Sequence, residues 1–354
     1  MTRLEECNMK VKLVSAELNN RGCNAIVIKK LPNFSWITSG GRGFIGLASE
    51  NACAAIVVTG KRTYLASNNI ESARLMSEEL PEGFAAPIIL YWPTDGTMDE
   101  FLEKTFGKIA FDFQMDDWFK KARTNLNPNE IERYRALGNT VAEVLEAVCI
   151  SLRPGMTEFE IAGRVSEELW SRAIEPITLL VAADDRSNCV RHYVPTGKRA
   201  DSGAIVSLCA RSGGLIVSAT RSVAFKKGFA PKYENLLNVE LAAFEATAEG
   251  GPLGEVLAKI INAYEENGFP DEWKNHHQGG MTGYLAREIR ADPTCKTEAC
   301  VNQAYAWNPS VAGAKCEDTV IRLESGLEII TPVSACWPKI HKGKWNRPDI
   351  LKAY

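Results

Sequence analysis

The residues of this chain that could do chemistry fall into a few short stretches. Only four histidines occur in 354 residues: His192, His276, His277 and His341. Three of them lie in Arg191-His192-Tyr193-Val194-Pro195-Thr196 and in His276-His277-Gln278-Gly279-Gly280. Imidazole titrates near working pH and is the commonest acid–base group, so these three histidines are candidates for moving a proton. Of the adjacent pair, His276 is read as orienting its neighbour or meeting solvent. Farther along come Trp307-Asn308-Pro309 and Lys315-Cys316-Glu317-Asp318-Thr319. Asn308 can donate and accept but cannot titrate, so its use is to orient a substrate. Cys209 and Cys316 become nucleophiles only if a neighbour lowers their pKa, and inert thiols are the simpler reading.

Between the histidine stretches, residues 204–225 carry two apolar, β-branched-rich runs around Ser212-Gly213-Gly214, a β-hairpin signal. A turn centred on Ser212-Gly213 sets Ser207 opposite Ser218. A turn centred on Gly213-Gly214 changes the partners and keeps the parity. In both registers Ser207, Cys209, Ser218 and Thr220 share one face, a polar cluster in an apolar hairpin. Hydroxyls satisfied within a core would give the same pattern. Arg221 offers paired donors to a substrate carboxylate or, equally, to a structural partner.

These residues must be positioned by helices and sheets that the sequence announces. Residues 4–22 have helical spacing and end at Gly22. Short apolar strands follow at 24–28, 54–58, 63–66, 88–92 and 109–111, and residues 69–75 open a helix, which together indicate an α/β domain. Asn127-Pro128-Asn129-Glu130 starts a helix running to about Leu152, and Thr157 with Glu160 forms a capping box for the next. Further helices are expected at 231–249 and 253–266. Hairpins are expected around residues 310–313 and 324–326 of a β-rich end. Charged residues are 24%, hydrophobic ones 45%, and net charge is −3, so neither nucleic acid nor an anionic membrane is an expected partner. Neither a membrane span nor a signal-peptide core is seen, and ten cysteines without regular spacing read as reduced thiols, which suggests the cytoplasm.

In order and spacing the motifs resemble the pita-bread family of creatinase, prolidase, aminopeptidase P and methionine aminopeptidase. The resemblance implies an α+β fold with a creatinase-type α/β domain over 1–125 and a pita-bread domain over 126–354. In its metallopeptidases, two aspartates eleven residues apart on such a hairpin, a histidine of His-x-x-Gly, a Glu-Pro glutamate and a Glu-Asp-Thr glutamate bind two metal ions. The matching positions here hold Ser207, Ser218, His277, Asn308 and Glu317. One imidazole and one carboxylate cannot hold such a pair, so no metal is expected. The remaining option is a single zinc on His277, Glu317 and Cys209. His192 matches a histidine that contacts the reacting carbonyl in the peptidases and shuttles the proton in creatinase.

The expectation is therefore a metal-independent, creatinase-like hydrolase or lyase acting on a small polar C–N substrate. His192, His277 and Glu317 would be catalytic, with the Glu317 pKa raised by partial burial. Ser207, Ser218, Arg221, Asn308, Cys209 and Trp36 would bind substrate. Asn33-Phe34-Ser35-Trp36-Ile37-Thr38 resembles a turn of aminopeptidase P-like N-domains, from which Trp36, with Glu71 and Arg74, would cap the pocket of a second subunit in a homodimer. The alternatives are an Xaa-Pro peptidase taking short peptides and a non-catalytic binding protein.

Overall fold

Apolar strands broken by glycine turns and amphipathic helices with good caps build this chain in two parts. The computed structural model describes all 354 residues, which divide into a smaller unit, Met1–Arg123 with Gly213–Leu215, and a larger one, Thr124–Ser212 with Ile216–Tyr354. The smaller unit holds a five-stranded sheet in the order Ala86–Leu90, Thr63–Asn68, Asn51–Thr59, Ala25–Lys30, Ile109–Phe111. Its inner pairs are antiparallel and both outer pairs parallel. The stretch read as a turn around Trp36 is a short helix, Leu31–Ile37, with proline in its first turn. Pro32 is preset for a helix start, and that preference overrides the glycines that follow.

In the larger unit, Asn127 and Thr157 cap the helices Pro128–Ser151 and Glu158–Trp170, each with the reciprocal glutamate bond of a capping box. A four-stranded sheet runs Leu351–Lys352, Leu215–Ala224, Gly203–Ser212, Glu175–Ala183. A five-stranded sheet runs Ile289–Arg290, Gly279–Thr282, Gln303–Trp307, Asp318–Leu323, Gly326–Ile329. The two sheets are stitched where the hairpin meets the last motif. Ser218 N donates to Thr319 Oγ1 at 2.8 Å, Thr319 Oγ1 donates to Ser218 O at 2.9 Å, and Thr220 N donates to Glu317 O at 2.9 Å. Helices Tyr233–Glu249 and Leu253–Glu266 bury Leu236, Phe244 and Ile260 against Met281, Tyr305 and Val320. Each such side chain contributes roughly 1.5–3 kcal/mol by leaving water.

The hairpin turn falls at Gly213-Gly214, where φ is +55° and +81°. Two successive positive φ values match the right-handed twist of the strands and suit glycine. Side-chain contacts place Ser207 opposite Thr220 and Cys209 opposite Ser218. Residues of the other parity point the opposite way, into a buried charge network. Arg221 donates to Glu146 at 2.7 Å and to Asp318 at 3.1 Å, while Arg347 binds Asp318 and reaches Glu240 at 2.7 Å. All five of these side chains are at most 1% exposed.

Candidate active site

The polar face of the hairpin opens onto a cavity of about 160 Å³ in the larger unit. That is room for roughly five water molecules, well below the size of a drug-binding pocket. Thr178 and Leu180 pair across the sheet with Cys209 and Ser207, which puts all four on one wall. His277 and Asn308 reach the cavity from just beyond the ends of adjoining strands, because Gly279 pairs with Trp307 and Asn308 N donates to Gln278 O at 3.0 Å. This approach is close. A Cβ on Gly279, whose φ is +116°, would lie 2.1 Å from Ala306 O, so alanine there would push away the strand that His277 leads into. His192 completes the lining and is itself exposed. The loop that carries it is tied down by an ion pair of Arg191 with Glu272, just ahead of His276.

Glu317 sits at the centre. Its two carboxylate oxygens are taken by two cations, Oε1 by Arg287 Nη2 at 2.8 Å and Oε2 by Lys315 Nζ at 3.0 Å. Burial works to raise the Glu317 pKa, but Lys315 and Arg287 outweigh it and hold it at about 2. The expected upward shift is therefore overturned, and Glu317 is a fixed anion rather than an acid or base. Lys315 is shifted upward in turn, since Glu317 outweighs the burial that opposes its charge. Burial, reinforced by Lys315, pushes His276 down to about 3; burial and Arg287 push His277 to about 4. Both rings are neutral at working pH, and His276 Nε2 lies 3.2 Å from His192 Nε2. Arg287 Nε, Asn308 Oδ1 and His277 Nδ1 are buried without a hydrogen-bond partner. A cavity lined by such atoms is short of a ligand.

His192, His277, Glu317, Ser207, Cys209 and Asn308 thus line one cavity. Three expected substrate contacts do not. Arg221 is in the sealed network, because adjacent strand residues face opposite sides and Thr220 takes the cavity side. Ser218 is fully buried behind the wall, hydrogen-bonded with Cys209 at 3.2 Å. Trp36 is 1% exposed and packs edge-on against Trp118 and Phe119 in its own unit, so it is not presented to a second subunit; Glu71 pairs with Arg74 at 2.8 Å. Burial raises the Cys209 pKa, which leaves an inert thiol. Sequence reasoning missed Lys315 and Arg287. Lys315 had a signal, two residues before Glu317; Arg287, in an irregular loop, had none.

A family model, Metallopeptidase family M24, matches residues 132–325, more than half of the chain. The chain belongs to this family. An uncharacterized peptidase of Staphylococcus haemolyticus is 22% identical over 230 residues, which are 61% of this chain and 65% of that relative, just under two thirds of its length. A prolidase from Pyrococcus horikoshii superposes with a TM-score of 0.74 at 20% identity, covering 92% of this chain and 99% of that one. An Xaa-Pro dipeptidase from Bacillus anthracis gives 0.74 at 14%, covering 98% and 99%. The N-terminal domain of FACT complex subunit SPT16 from chickpea, Cicer arietinum, gives 0.67 at 13%, covering 94% and 97%. These likenesses show the pita-bread fold with its N-terminal domain. No helix is long and apolar enough to cross a membrane.

The pair of metal ions that the resemblance implies does not fit this M24 site. Ser207 shares hydrogen bonds with Thr220 and Tyr193, and both Glu317 oxygens hold cations. Two divalent ions would meet Lys315 and Arg287 with too few anionic ligands to offset them. The same pairing removes Glu317 from the His277–Glu317–Cys209 zinc set.

Proposed function

We propose that this M24 chain hydrolyses a C–N bond in a small substrate bearing a carboxylate, by acid–base catalysis rather than through two metal ions. The observation that carries this reading is the Lys315–Glu317–Arg287 clamp at the cavity wall. Two cations against one carboxylate leave a surplus positive charge, which suits an anionic substrate group. The unpartnered Arg287 Nε would donate to that group, and Asn308 Oδ1 would accept an N–H beside the scissile bond. His192, exposed at the cavity and backed by His276, would take a proton from water and return it to the leaving nitrogen. His277, held neutral, would donate to the reacting carbonyl. Such proton transfer gives about 10²–10⁴-fold, and positioning adds to it.

The family match and the likeness to prolidases favour a second reading, a peptidase of Xaa-Pro dipeptides. A dipeptide brings both a carboxylate and an N–H, so it belongs in the same screen. The test is turnover of carboxylate-bearing amides, amidines and Xaa-Pro dipeptides by chelator-treated protein. Turnover that survives chelation and disappears in His192→Ala is expected. Turnover that needs added manganese or cobalt would sink the metal-independent reading, and none at all would sink the hydrolase. The reading also carries a cytoplasmic homodimer, checked by sedimentation.

A further inference from the structure

We infer that His192, His276 and His277 form a reversible site for one divalent transition-metal ion of the kind imidazole binds, such as zinc, whose binding blocks catalysis. The three imidazoles come from two segments, His192 from one and the consecutive His276 and His277 from the other, and each offers one ring nitrogen, all within 4.8 Å of one another. Two of these already stand at a ligand spacing. Around a tetrahedral zinc with Zn–N near 2.0–2.1 Å, donors lie about 3.3–3.4 Å apart. His192 Nε2 and His276 Nε2 are 3.2 Å apart, and His277, whose ring stacks on His276 with centroids 4.4 Å apart, must turn out of that stack to bring its nitrogen to the third corner. In a neutral pair at this distance one ring donates its Nε2 proton to the other. An ion between them requires both rings to carry the proton on Nδ1, with no change of charge. Three imidazoles are the donor count of an open zinc site, and the cavity leaves the fourth position to water or an anion.

Other features make the site a switch rather than a permanent centre. The Nδ1 atoms of His276 and His277 are buried without partners, so neither ring has the outer carboxylate or carbonyl that fixes ligands in dedicated zinc sites. Lys315 and Arg287 also line the neighbourhood and, with only Glu317 against them, oppose a divalent charge. A bound ion occupies the His192 lone pair, which the proposed proton transfer needs; the inhibitory part of the inference rests on that reading, whereas the binding part does not.

The experiment titrates full-length protein with Zn²⁺ by calorimetry and with Co²⁺ by visible absorption, and follows turnover in parallel. One equivalent should bind, with affinity reduced at least ~10-fold in both His276→Asn and exposed His192→Asn. Lys315→Met should tighten binding, by removing a repelling charge. The absence of saturable binding, or binding unchanged in the two histidine variants, overturns the site. Turnover that rises with zinc overturns both the inhibition and the metal-independent reading. A protein without turnover on any substrate defeats the functional reading while the binding titration still decides the site.

Discussion

Glu317 and Asp318 are neighbours in the chain, both buried, and each holds two cations, yet they serve opposite ends. Glu317 faces the cavity and is outnumbered, one carboxylate between Lys315 and Arg287. Asp318 faces the interior, where Glu146, Asp318 and Glu240 outnumber Arg221 and Arg347. At both acids burial disfavours the charged form; the paired cations outweigh it at Glu317, and Arg347 does not outweigh it at Glu240. Glu317 is held at about 2, whereas Glu240, where burial is joined by the repulsion of Asp318, is raised to about 7. One network is closed and structural; the other has unpartnered atoms and a cavity beside it, which is what a binding site needs.

Substituting the two acids in turn separates these roles. Asp318→Asn removes the shared partner of two sealed guanidinium groups and should cost about 3–5 kcal/mol in urea unfolding. Glu317→Gln leaves cations that cavity water can reach and should cost only about 1–2 kcal/mol, with activity lost. Equal costs would dissolve the comparison. His192→Ala should lower kcat by about 10²–10⁴-fold and leave stability within ~0.5 kcal/mol, since the ring is exposed. Lys315→Met takes away the surplus charge. KM for a carboxylate substrate should rise about 10–100-fold, and KM for its amide should hardly change.

The smallest effect is in pH. Glu240 binds its proton up to about pH 7 in the fold but only to 4.5 when unfolded. Its contribution is therefore complete below pH 4.5 and lost as pH rises through 7, the reverse of Glu317, whose contribution is present above 4.5 and lost as pH falls toward 2. Glu240→Gln should flatten the unfolding free energy between pH 5 and 7, and an unchanged slope would place that proton elsewhere.

Much of this was legible in the chain. The capping boxes at Asn127 and Thr157, the double-glycine hairpin and its polar face follow from local rules that the tertiary structure respects. The same parity rule that grouped Ser207 with Thr220 also turns Arg221 away, so its exclusion from the site was readable from the alternation of the hairpin alone. The Glu317 pKa was not, because its sign depends on Arg287, which reaches the carboxylate from an irregular loop thirty residues away in sequence. Trp36 misled because its role rested on the resemblance to an N-domain turn, while the proline at the start of its helix and the aromatic contacts of its unit decide its burial.

On the proposed reading, Lys315 and Arg287 stand in place of metal charge on Glu317. Elemental analysis of active protein after dialysis against a chelator decides whether they do. Fewer than about 0.1 metal equivalents per chain, with turnover intact, is the predicted result. About two equivalents per chain that survive dialysis, and vanish in Glu317→Ala, would contradict it.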